Sequence, residues 1–311
     1  MKISLILAEK ITELFLIMLM GYGVVRKGLL KSDDSRILSV VMVYLVTPCM
    51  IINSFQVDYT PQVRDGLIYA LIIAAGIHIL FLVLTKLLGI VFRLDAIEKC
   101  AVIYTNAGIL VIPLVHAILG EEYVIYSCAF IVVQTILVWT HCTSLLCGDT
   151  TIHIKKIFTN INIWAIVVGM LLLLFRIQLP QLLEGTLSTV GAMIGPLGMM
   201  LAGMVIADAD LVRLFSSPGN YIPAVLRLII YPLIVLAILR LTGASGMIAG
   251  GKPILMTVYL AAITPACATV TSLAQLYTKK AAHSSALYVL STLCCIITMP
   301  VMIGLFDKLI P

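Results

Sequence analysis

The sequence predicts an all-α, polytopic membrane protein with ten transmembrane helices, arranged as two five-helix repeats of opposite orientation. Three observations lead to this prediction: the composition, the number of long apolar runs, and the matching positions of prolines in the two halves. Hydrophobic residues make up 61% of the 311 positions and charged residues only 11%. Because a soluble domain carries about 25% charged residues, this composition indicates a chain that lies mostly in lipid.

Ten apolar runs have about the length that a helix needs to cross a bilayer, which is about 20 residues with a range of about 17–25. The sixth run is short, and we expect that it can extend through Arg176 to Leu179. No soluble domain fits between the runs, since the longest polar connection covers residues 147–160. The runs cover residues 5–25, 37–55, 67–92, 100–119, 123–146, 161–175, 187–206, 222–241, 254–276 and 282–306.

The distribution of basic residues predicts how the helices are oriented. If the N-terminus lies outside, the inner connections hold twelve Lys and Arg residues and the outer ends hold six. Cytoplasmic loops carry the excess of Lys and Arg, so we expect a multi-pass protein of the cytoplasmic (inner) membrane with both termini outside. The inner residues are Arg26, Lys27, Lys31, Arg36, Lys86, Arg93, Lys99, Lys155, Lys156, Arg213, Lys279 and Lys280, and the outer ones are Lys2, Arg64, Arg176, Arg240, Lys252 and Lys308.

Several classes of function are not expected from the sequence. The net charge of +5 does not indicate a nucleic-acid partner, because the basic residues are spread over short connections. The eight cysteines show no CxxC pair and no Cys/His ligand spacing, so we interpret them as buried apolar residues and predict no metal site. No phosphate-binding loop or HExxH motif occurs, so no cofactor and no ATP-driven transport are predicted.

The ten runs divide into two matching halves at the longest connection. We therefore predict an N-terminal repeat over residues 1–150 and a C-terminal repeat over residues 151–311. Five is an odd number of crossings, so the second repeat enters the membrane from the opposite side, as in many secondary transporters. The prolines correspond as well: Pro48 of the second run matches Pro196 of the seventh, and Pro113 of the fourth matches Pro265 of the ninth. Interrupted apolar segments at matching positions point to a transporter's binding site.

The fourth run combines an amide, a glycine and a proline within one apolar segment, at Asn106, Gly108 and Pro113. Proline removes a backbone donor and clashes with the carbonyl one turn back, so we expect this helix to break or kink near Pro113. Freed backbone groups in lipid must bind protein or line a water-filled cavity. The segment is therefore interpreted as a transport site, with a packing kink in which Asn106 bonds a neighbouring helix as the alternative.

The residues around this segment resemble those of the auxin efflux carrier family, which includes bacterial organic-anion permeases. Asn106-Ala-Gly-Ile-Leu-Val-Ile-Pro-Leu114 is similar to the family signature N-x-G-F-L-G-x-P-L. It departs at Ile109, where the family usually has phenylalanine, and at Val111, where it usually has glycine. Further matches cover nearly the whole chain: Gly21-Tyr22, Arg26-Lys27 and Lys31, Pro48, Pro196-Leu197, and Thr264-Pro265-Ala266 running to Ala274 and Tyr277.

This resemblance implies an architecture and a mechanism. Helices 4 and 9 would be broken at Pro113 and Pro265 and would cross each other at mid-membrane. Helices 1, 2, 6 and 7 would form a scaffold that also makes the contact of a homodimer. Helices 3–5 and 8–10 would form a transport unit that moves like an elevator.

Asn106 is the first candidate for substrate contact, because an amide offers donors and an acceptor without a buried charge. Half-helix N-termini after Pro113 and Pro265 would direct free N–H groups at an anionic group. Gly108 belongs to the same predicted site. On the side of helix 9, hydroxyls of Thr264, Thr269 and Thr271 are further candidates, and for the last two a hydrogen bond within their own helix is the alternative.

Two ionisable residues within the predicted helices are candidates for ion coupling or charge pairing. Glu13 lies inside helix 1, where a local pair with Lys10 is the favoured interpretation. His116 follows Pro113 by three positions and is expected to face the same cavity. For His116, a neutral side chain bonded to a neighbour is favoured over a proton relay.

Arg227 is predicted to lie one turn inside helix 8. It is expected either to steer an anion or to pair with Asp208 or Asp210 at the end of helix 7. Pairing is favoured, because a lone buried charge is costly.

The leading hypothesis is a secondary carrier of a small organic anion such as a mono- or dicarboxylate, embedded among membrane lipids. Coupling to a proton or to sodium and potential-driven uniport all stay open. One alternative is a membrane-embedded sensor or scaffold without turnover, which we expect to carry a soluble signalling domain. Another is an intramembrane enzyme, but no catalytic Asp/Asp, Ser/His or metal constellation occurs in the sequence.

Overall fold

The structure, a computed structural model, describes residues 2–148, 159, 161–207, 215–278 and 280–311. These residues form helices joined by short connections and contain no β-strand. The helices are α1 (Lys2–Arg26), α2 (Ser32–Ser54), α3 (Pro61–Val91), α4 (Ala96–Ile103), α5 (Ala107–Ile118), α6 (Glu121–Cys147), α7 (Ile161–Leu174), α8 (Gln181–Ala207), α9 (Pro218–Leu241), α10 (Gly251–Ile263), α11 (Ala268–Tyr277) and α12 (Ala281–Leu309).

The helices confirm the predicted class of multi-pass, helical membrane protein. Six of them, namely α2, α3, α6, α8, α9 and α12, are long and apolar enough to cross a membrane. Three apolar helices are shorter, namely the part of α1 over Phe15–Arg26, α7 and α10. The predicted extension of the sixth apolar run to Leu179 does not form, since α7 ends at Leu174 and Arg176 turns the chain with a φ of 55°.

Prolines in the second and seventh apolar runs are accommodated without unwinding the chain. Pro48 follows a wide π-helical turn over Met42–Val46. Proline has no N–H to donate one turn back, and the wider turn adapts the helix to this missing hydrogen bond. Pro196 is the third residue of the segment Ile194–Ala207, which restarts α8 after a short turn. Prolines fit the first turn of a helix because the N–H groups there have no partner within the helix.

The fourth and ninth apolar runs, in contrast, are each divided into two helices. Residues 104–106 separate α4 from α5, and residues 264–267 separate α10 from α11. Pro265 lies in the second of these segments, whereas Pro113 lies inside the continuous helix α5. The expected break near Pro113 is therefore corrected: the chain unwinds about two turns earlier, where its backbone groups have partners outside their own helix.

Glycines bring α8 into close contact with α1 and α2. A methyl group at Gly203 would collide with the backbone of Met18, and one at Gly21 would collide with the backbone of Met200. Gly191 packs in the same way against Met50, whose Cα would lie 2.9 Å from an added Cβ. Close backbone approach at small residues stabilises helix pairs in lipid. The small residues of α8 thus serve packing within the chain.

Polar side chains join the start of α4 to the start of α12. Asp95 caps α4 by accepting from the Glu98 N–H at 2.9 Å, and Glu98 accepts in return from the Asp95 N–H at 2.8 Å. The Lys280 ammonium lies 2.9 Å from Asp95, and His283 lies 3.4 Å from Glu98. Partial burial acts to raise the pKa of Asp95, but the Glu98 N–H and the Lys280 ammonium outweigh it, so that this pKa lies below its usual value.

Removing the Asp95 side chain is expected to destabilise the protein by about 1–2 kcal/mol, through the lost cap and the lost ion pair. Asp95→Asn keeps a capping oxygen and should cost at most about 1 kcal/mol, because the pair is partly exposed. Thermal unfolding in detergent measures both changes. Equal midpoints for Asp95→Ala, Asp95→Asn and the unmodified chain would contradict this role.

The ion pair of Asp95 with Lys280 predicts that the stability of the protein falls at acid pH. Because the folded-state pKa of Asp95 is lowered, its stabilising contribution is present above the unfolded-state pKa of about 3.9 and is lost as the pH falls through the lower folded value. The unfolding midpoints of Asp95→Asn and of the unmodified chain should therefore converge as the pH is lowered. A series from about pH 6 to about pH 3 brackets the value of about 3.9 and measures this. A constant difference over this range would exclude the carboxylate as its source.

Candidate functional site

The two unwound segments lie against each other and form an antiparallel bridge. The Asn106 N–H donates to the Pro265 carbonyl at 2.8 Å, and the Cys267 N–H donates to the Tyr104 carbonyl at 3.1 Å. Unwound backbone in a membrane must find partners within the protein. Each broken segment therefore supplies part of what the other one lacks.

Two side chains provide further partners for these segments. The Gln134 amide on α6 accepts from the Thr105 N–H at 2.9 Å and donates to the Thr105 carbonyl at 2.8 Å. On α12, the Ser291 hydroxyl accepts from the Ala266 N–H at 3.1 Å. Sequence reasoning missed both residues. The available signal was a polar side chain inside an apolar run, which in lipid usually bonds a neighbouring helix.

Arg227 of α9 binds the C-terminal ends of both first half-helices, α4 and α10. Its side chain is 1% exposed, and its Nη1 donates to the Val102 carbonyl at 3.1 Å. The Thr264 carbonyl accepts from Nε at 3.0 Å and from Nη2 at 2.9 Å, and the Ala262 carbonyl also accepts from Nη2. The guanidinium lies 5.3 Å from the centre of the Phe81 ring. One cation thus caps two helix C-termini.

The local backbone conformation places Arg227, and its hydrogen bonds offset part of the cost of burying its charge. It lies in a π-helical turn over Leu226–Ile230, which ends two residues before Pro232, a residue with no N–H to donate one turn back. Helix C-termini carry partial negative charge, and hydrogen bonds offset part of the cost of a buried cation. The predicted partners Asp208 and Asp210 lie outside the described residues. The hydrogen bonds described for Arg227 go to backbone carbonyls.

The N-terminal ends of the second half-helices, α5 and α11, are open by contrast. Their N-cap residues are Asn106 and Cys267, and neither end has a side-chain cap. Gly108, the second residue of α5, faces open space, with nothing within 4 Å of an added Cβ. Thr269 holds the equivalent position in α11 and is exposed. Uncapped helix N-termini favour anions, because the N–H groups and the helix dipole both point outward.

The other residues predicted for the site are distributed around these ends. Asn106 is 4% exposed, and its side chain lies against the Tyr288 hydroxyl of α12. The Thr264 hydroxyl donates to Ala261 of its own helix at 3.0 Å. The Thr271 hydroxyl instead lies 3.2 Å from that of Ser284 on α12. Tyr288 was not predicted, since a lone tyrosine in an apolar run carries no sequence signal for this contact.

A separate cavity of about 360 Å³ lies between α1, α2 and α8 on one side and α5 and α6 on the other. The structure brings Glu13 and His116 to this cavity, where both are exposed. The side chain of Lys10, the predicted partner of Glu13, lies outside the described side chains. Polar residues from three helices also line the cavity, namely Asn53, Ser54, Glu121 and Ser188. The predicted residues therefore fall into two groups, one at the broken helices and one at this cavity.

A protein-family model described as "Membrane transport protein" matches the chain twice, over residues 6–150 and over residues 149–303. A comparison with curated protein sequences finds no match. The two matched stretches together cover nearly the whole chain. The two broken runs fall one in each match, at residues 104–106 and 264–267.

Gln134→Leu is expected to destabilise the protein by at least about 2 kcal/mol, because two buried peptide groups of Thr105 lose their partners at about 1–3 kcal/mol each. This corresponds to a fall of several degrees in the midpoint of thermal unfolding. Thr140→Val is the matched control, since that hydroxyl on the same helix bonds only its own turn. A midpoint for Gln134→Leu equal to that of Thr140→Val would show that Gln134 does not hold the broken segment.

Proposed function

This chain belongs to the auxin efflux carrier family of membrane transport proteins, and we propose from that premise that it is a secondary carrier of a small organic anion. The observation that carries the proposal is that, of the four helix ends at the broken segments, the two C-termini are capped and the two N-termini are not. Arg227 caps both C-termini, whereas both N-termini lack a side-chain cap. Such a site favours a negatively charged group such as the carboxylate of a mono- or dicarboxylate.

The chemistry of recognition follows from the open N-termini. Each helix N-terminus carries a partial charge of about +0.5 and presents N–H donors. The Asn106 amide adds neutral donors at the start of α5 without a second buried charge. Gly108 leaves space beside the first turn, so that a carboxylate can approach the backbone closely. In this proposal, Thr269 provides the hydroxyl on the α11 side.

We propose that alternating access is elevator-like. Spans 1, 2, 6 and 7 (α1, α2, α7 and α8) form the scaffold, and spans 3–5 and 8–10 (α3–α6 and α9–α12) form the transport unit. The cavity between α1, α2 and α8 and the half-helix α5 supports this division, because it lies between the two proposed parts. Glycine-mediated contact of α1 with α8 supports a rigid scaffold.

The remaining features of the proposal concern topology and assembly. The double family match supports two repeats, which we assign to residues 1–150 and 151–311 and to opposite orientations. In this arrangement α4–α5 and α10–α11 cross near mid-membrane, with both termini outside the cytoplasmic membrane. A homodimer would form through the scaffold, whose helices α2 and α7 expose apolar side chains. Proton or sodium coupling belongs to the same proposal as an open alternative.

Flux into proteoliposomes tests the proposal directly. Purified protein should give saturable uptake of at least one member of a panel of radiolabelled mono- and dicarboxylates, with protein-free liposomes as the blank. Absence of substrate-dependent flux across the whole panel would contradict the carrier function. That result would favour a membrane-embedded sensor that has the same fold and no turnover.

Asn106→Ala is expected to lower the affinity for the transported carboxylate at least about tenfold, since hydrogen bonds to charged groups contribute about 1.5–3 kcal/mol. Binding measured by thermal shift reports affinity and folding together. Unchanged affinity in a folded variant would place the site elsewhere.

Gly108→Ala tests the same site with little risk to folding, because the added methyl meets no atom within 4 Å. The methyl should occupy the space beside the α5 N-terminus and weaken binding about tenfold, or by about 1.4 kcal/mol. Gly76→Ala on α3 is the matched control, as it too is a helical glycine that faces open space. Equal affinities for the two variants would contradict a substrate position at Gly108.

A further inference from the structure

We propose that the cavity between α3, α4 and α6 is a binding site for an anionic phospholipid, whose phosphate is held by Lys86 and Lys99. The cavity has a volume of about 450 Å³, and both lysines line it together with apolar side chains of the three helices. It shares no lining residue with the cavity that contains Glu13 and His116. The inference goes beyond the proposed carrier function and does not depend on it.

The cavity opens toward lipid. Val83 and Ile90 of α3 line it, and they are 50% and 74% exposed. Lys86 lies between them on the same face of α3, because residues three and four apart are neighbours on a helix. Since α3 is long and apolar enough to cross a membrane, its exposed apolar side chains contact acyl chains. A ligand with an apolar part can therefore enter the cavity from the side.

The first lysine is an exposed cation on this lipid-facing surface. Lys86 precedes Val91, the last residue of α3, by five positions, which is about 7–8 Å along the helix axis. A charged group in the hydrocarbon region is costly. The side chain of a lysine near a helix end therefore extends toward the headgroups, and a phosphate at the mouth of the cavity would meet the ammonium group there.

The second lysine reaches the same place from α4. Gly89 of α3 leaves room for its side chain: an added Cβ at Gly89 would lie 3.1 Å from Cε of Lys99. The apolar part of the Lys99 side chain thus lies across α3, and its ammonium group, which is bonded to Cε, lies beside this helix. Two cations from two helices are in this way brought to one cavity.

The carboxylates of α4 interact with a different helix. Asp95 lies 2.9 Å from the Lys280 ammonium, and Glu98 lies 3.4 Å from His283 of α12. Both acidic side chains are therefore engaged at the start of α12. The ammonium groups of the two cavity lysines are left for an anion from outside the protein.

Other polar side chains of the cavity bond tyrosines within the protein. The Thr85 hydroxyl lies 2.9 Å from the Tyr231 hydroxyl, and Nδ1 of His141 lies 2.8 Å from the Tyr104 hydroxyl. These contacts leave the lysines as the groups that recognise a phosphate, which lysine binds as a point charge.

The location of the cavity agrees with the distribution of anionic lipids. Its lining comes from the last turns of α3 and α6 and from α4. In the orientation predicted from the basic residues, these helix ends lie on the cytoplasmic side, where anionic lipids are concentrated and where basic pockets between helices bind their headgroups. A zwitterionic lipid is disfavoured, because its choline or amine brings a positive charge next to the lysines.

Binding to the unmodified protein is measured by native mass spectrometry after the purified protein has been stripped of lipid in detergent. The probes are phosphatidylglycerol and phosphatidylcholine with identical acyl chains. Each lysine near an anionic lipid contributes about fivefold in affinity, so phosphatidylglycerol should bind at least about tenfold more tightly than phosphatidylcholine. Glycerol 3-phosphate, which has the phosphate without the chains, should not compete at the same concentration.

Charge variants connect this preference to the cavity. Lys86→Gln combined with Lys99→Gln should remove the preference for phosphatidylglycerol. Lys27→Gln combined with Lys31→Gln is the matched control, since it removes two charges from exposed lysines that follow α1. Thermal unfolding without added lipid confirms that each variant is folded.

A second variant changes the shape of the site and keeps both charges. Gly89→Leu should displace the Lys99 side chain and reduce the preference about fivefold, the contribution of one lysine. Gly76→Leu on the same helix is its control, because Gly76 faces open space. This pair separates a defined site from a general attraction between basic residues and anionic lipid.

Each result supports or overturns the inference. A preference that is lost in the cavity variants and kept in both controls supports it. Equal affinity for the two lipids overturns it, as does a preference that survives the double cavity variant or is reduced equally by the Lys27 and Lys31 changes. Equal affinities of Gly89→Leu and Gly76→Leu overturn the role of Lys99, and competition by glycerol 3-phosphate would indicate a site for free anions instead. Because no flux is measured, failure of the carrier function leaves this test unaffected.

Discussion

The hydrogen bonds from Arg227 to the ends of α4 and α10 are the interaction on which the rest of the site depends. A helix that ends inside a membrane leaves carbonyls without partners, and no water is present to bind them. One guanidinium supplies donors to both ends at once, because its planar fork presents five N–H groups. The two C-termini are thereby stabilised at the cost of one buried charge, and the two N-termini stay open. This difference supports the proposed anion site.

Side chains of two other helices bind further backbone groups of the broken segments. Gln134 on α6 binds the first segment, and Ser291 on α12 binds the second. These helices hold corresponding places in the two halves that the family model matches separately. Arg227 is the exception, since it serves both halves from α9. One cation thus serves both broken segments.

The position of the break shows how a proline signal can point to the right helix but to the wrong residue. Pro113 lies within α5, because one missing hydrogen bond can be tolerated inside a well-packed helix. The chain unwinds instead at residues 104–106, where Pro265 and Gln134 offer partners to the backbone. Both partners are more than two dozen positions away along the chain. Rules that use only neighbouring residues therefore cannot predict these partners.

The sequence by itself determined the membrane class and the family, because hydrophobicity and short motifs are local properties. It also identified Asn106, Gly108 and Pro265, which lie at or beside the broken segments. Only the tertiary structure decided where the helices unwind and which groups satisfy the freed backbone. It also moved Arg227 from an expected carboxylate pair to the carbonyls of two helix ends. The reason is physical: a buried polar group takes whichever partner the fold brings within about 3 Å, and such partners come from distant parts of the chain.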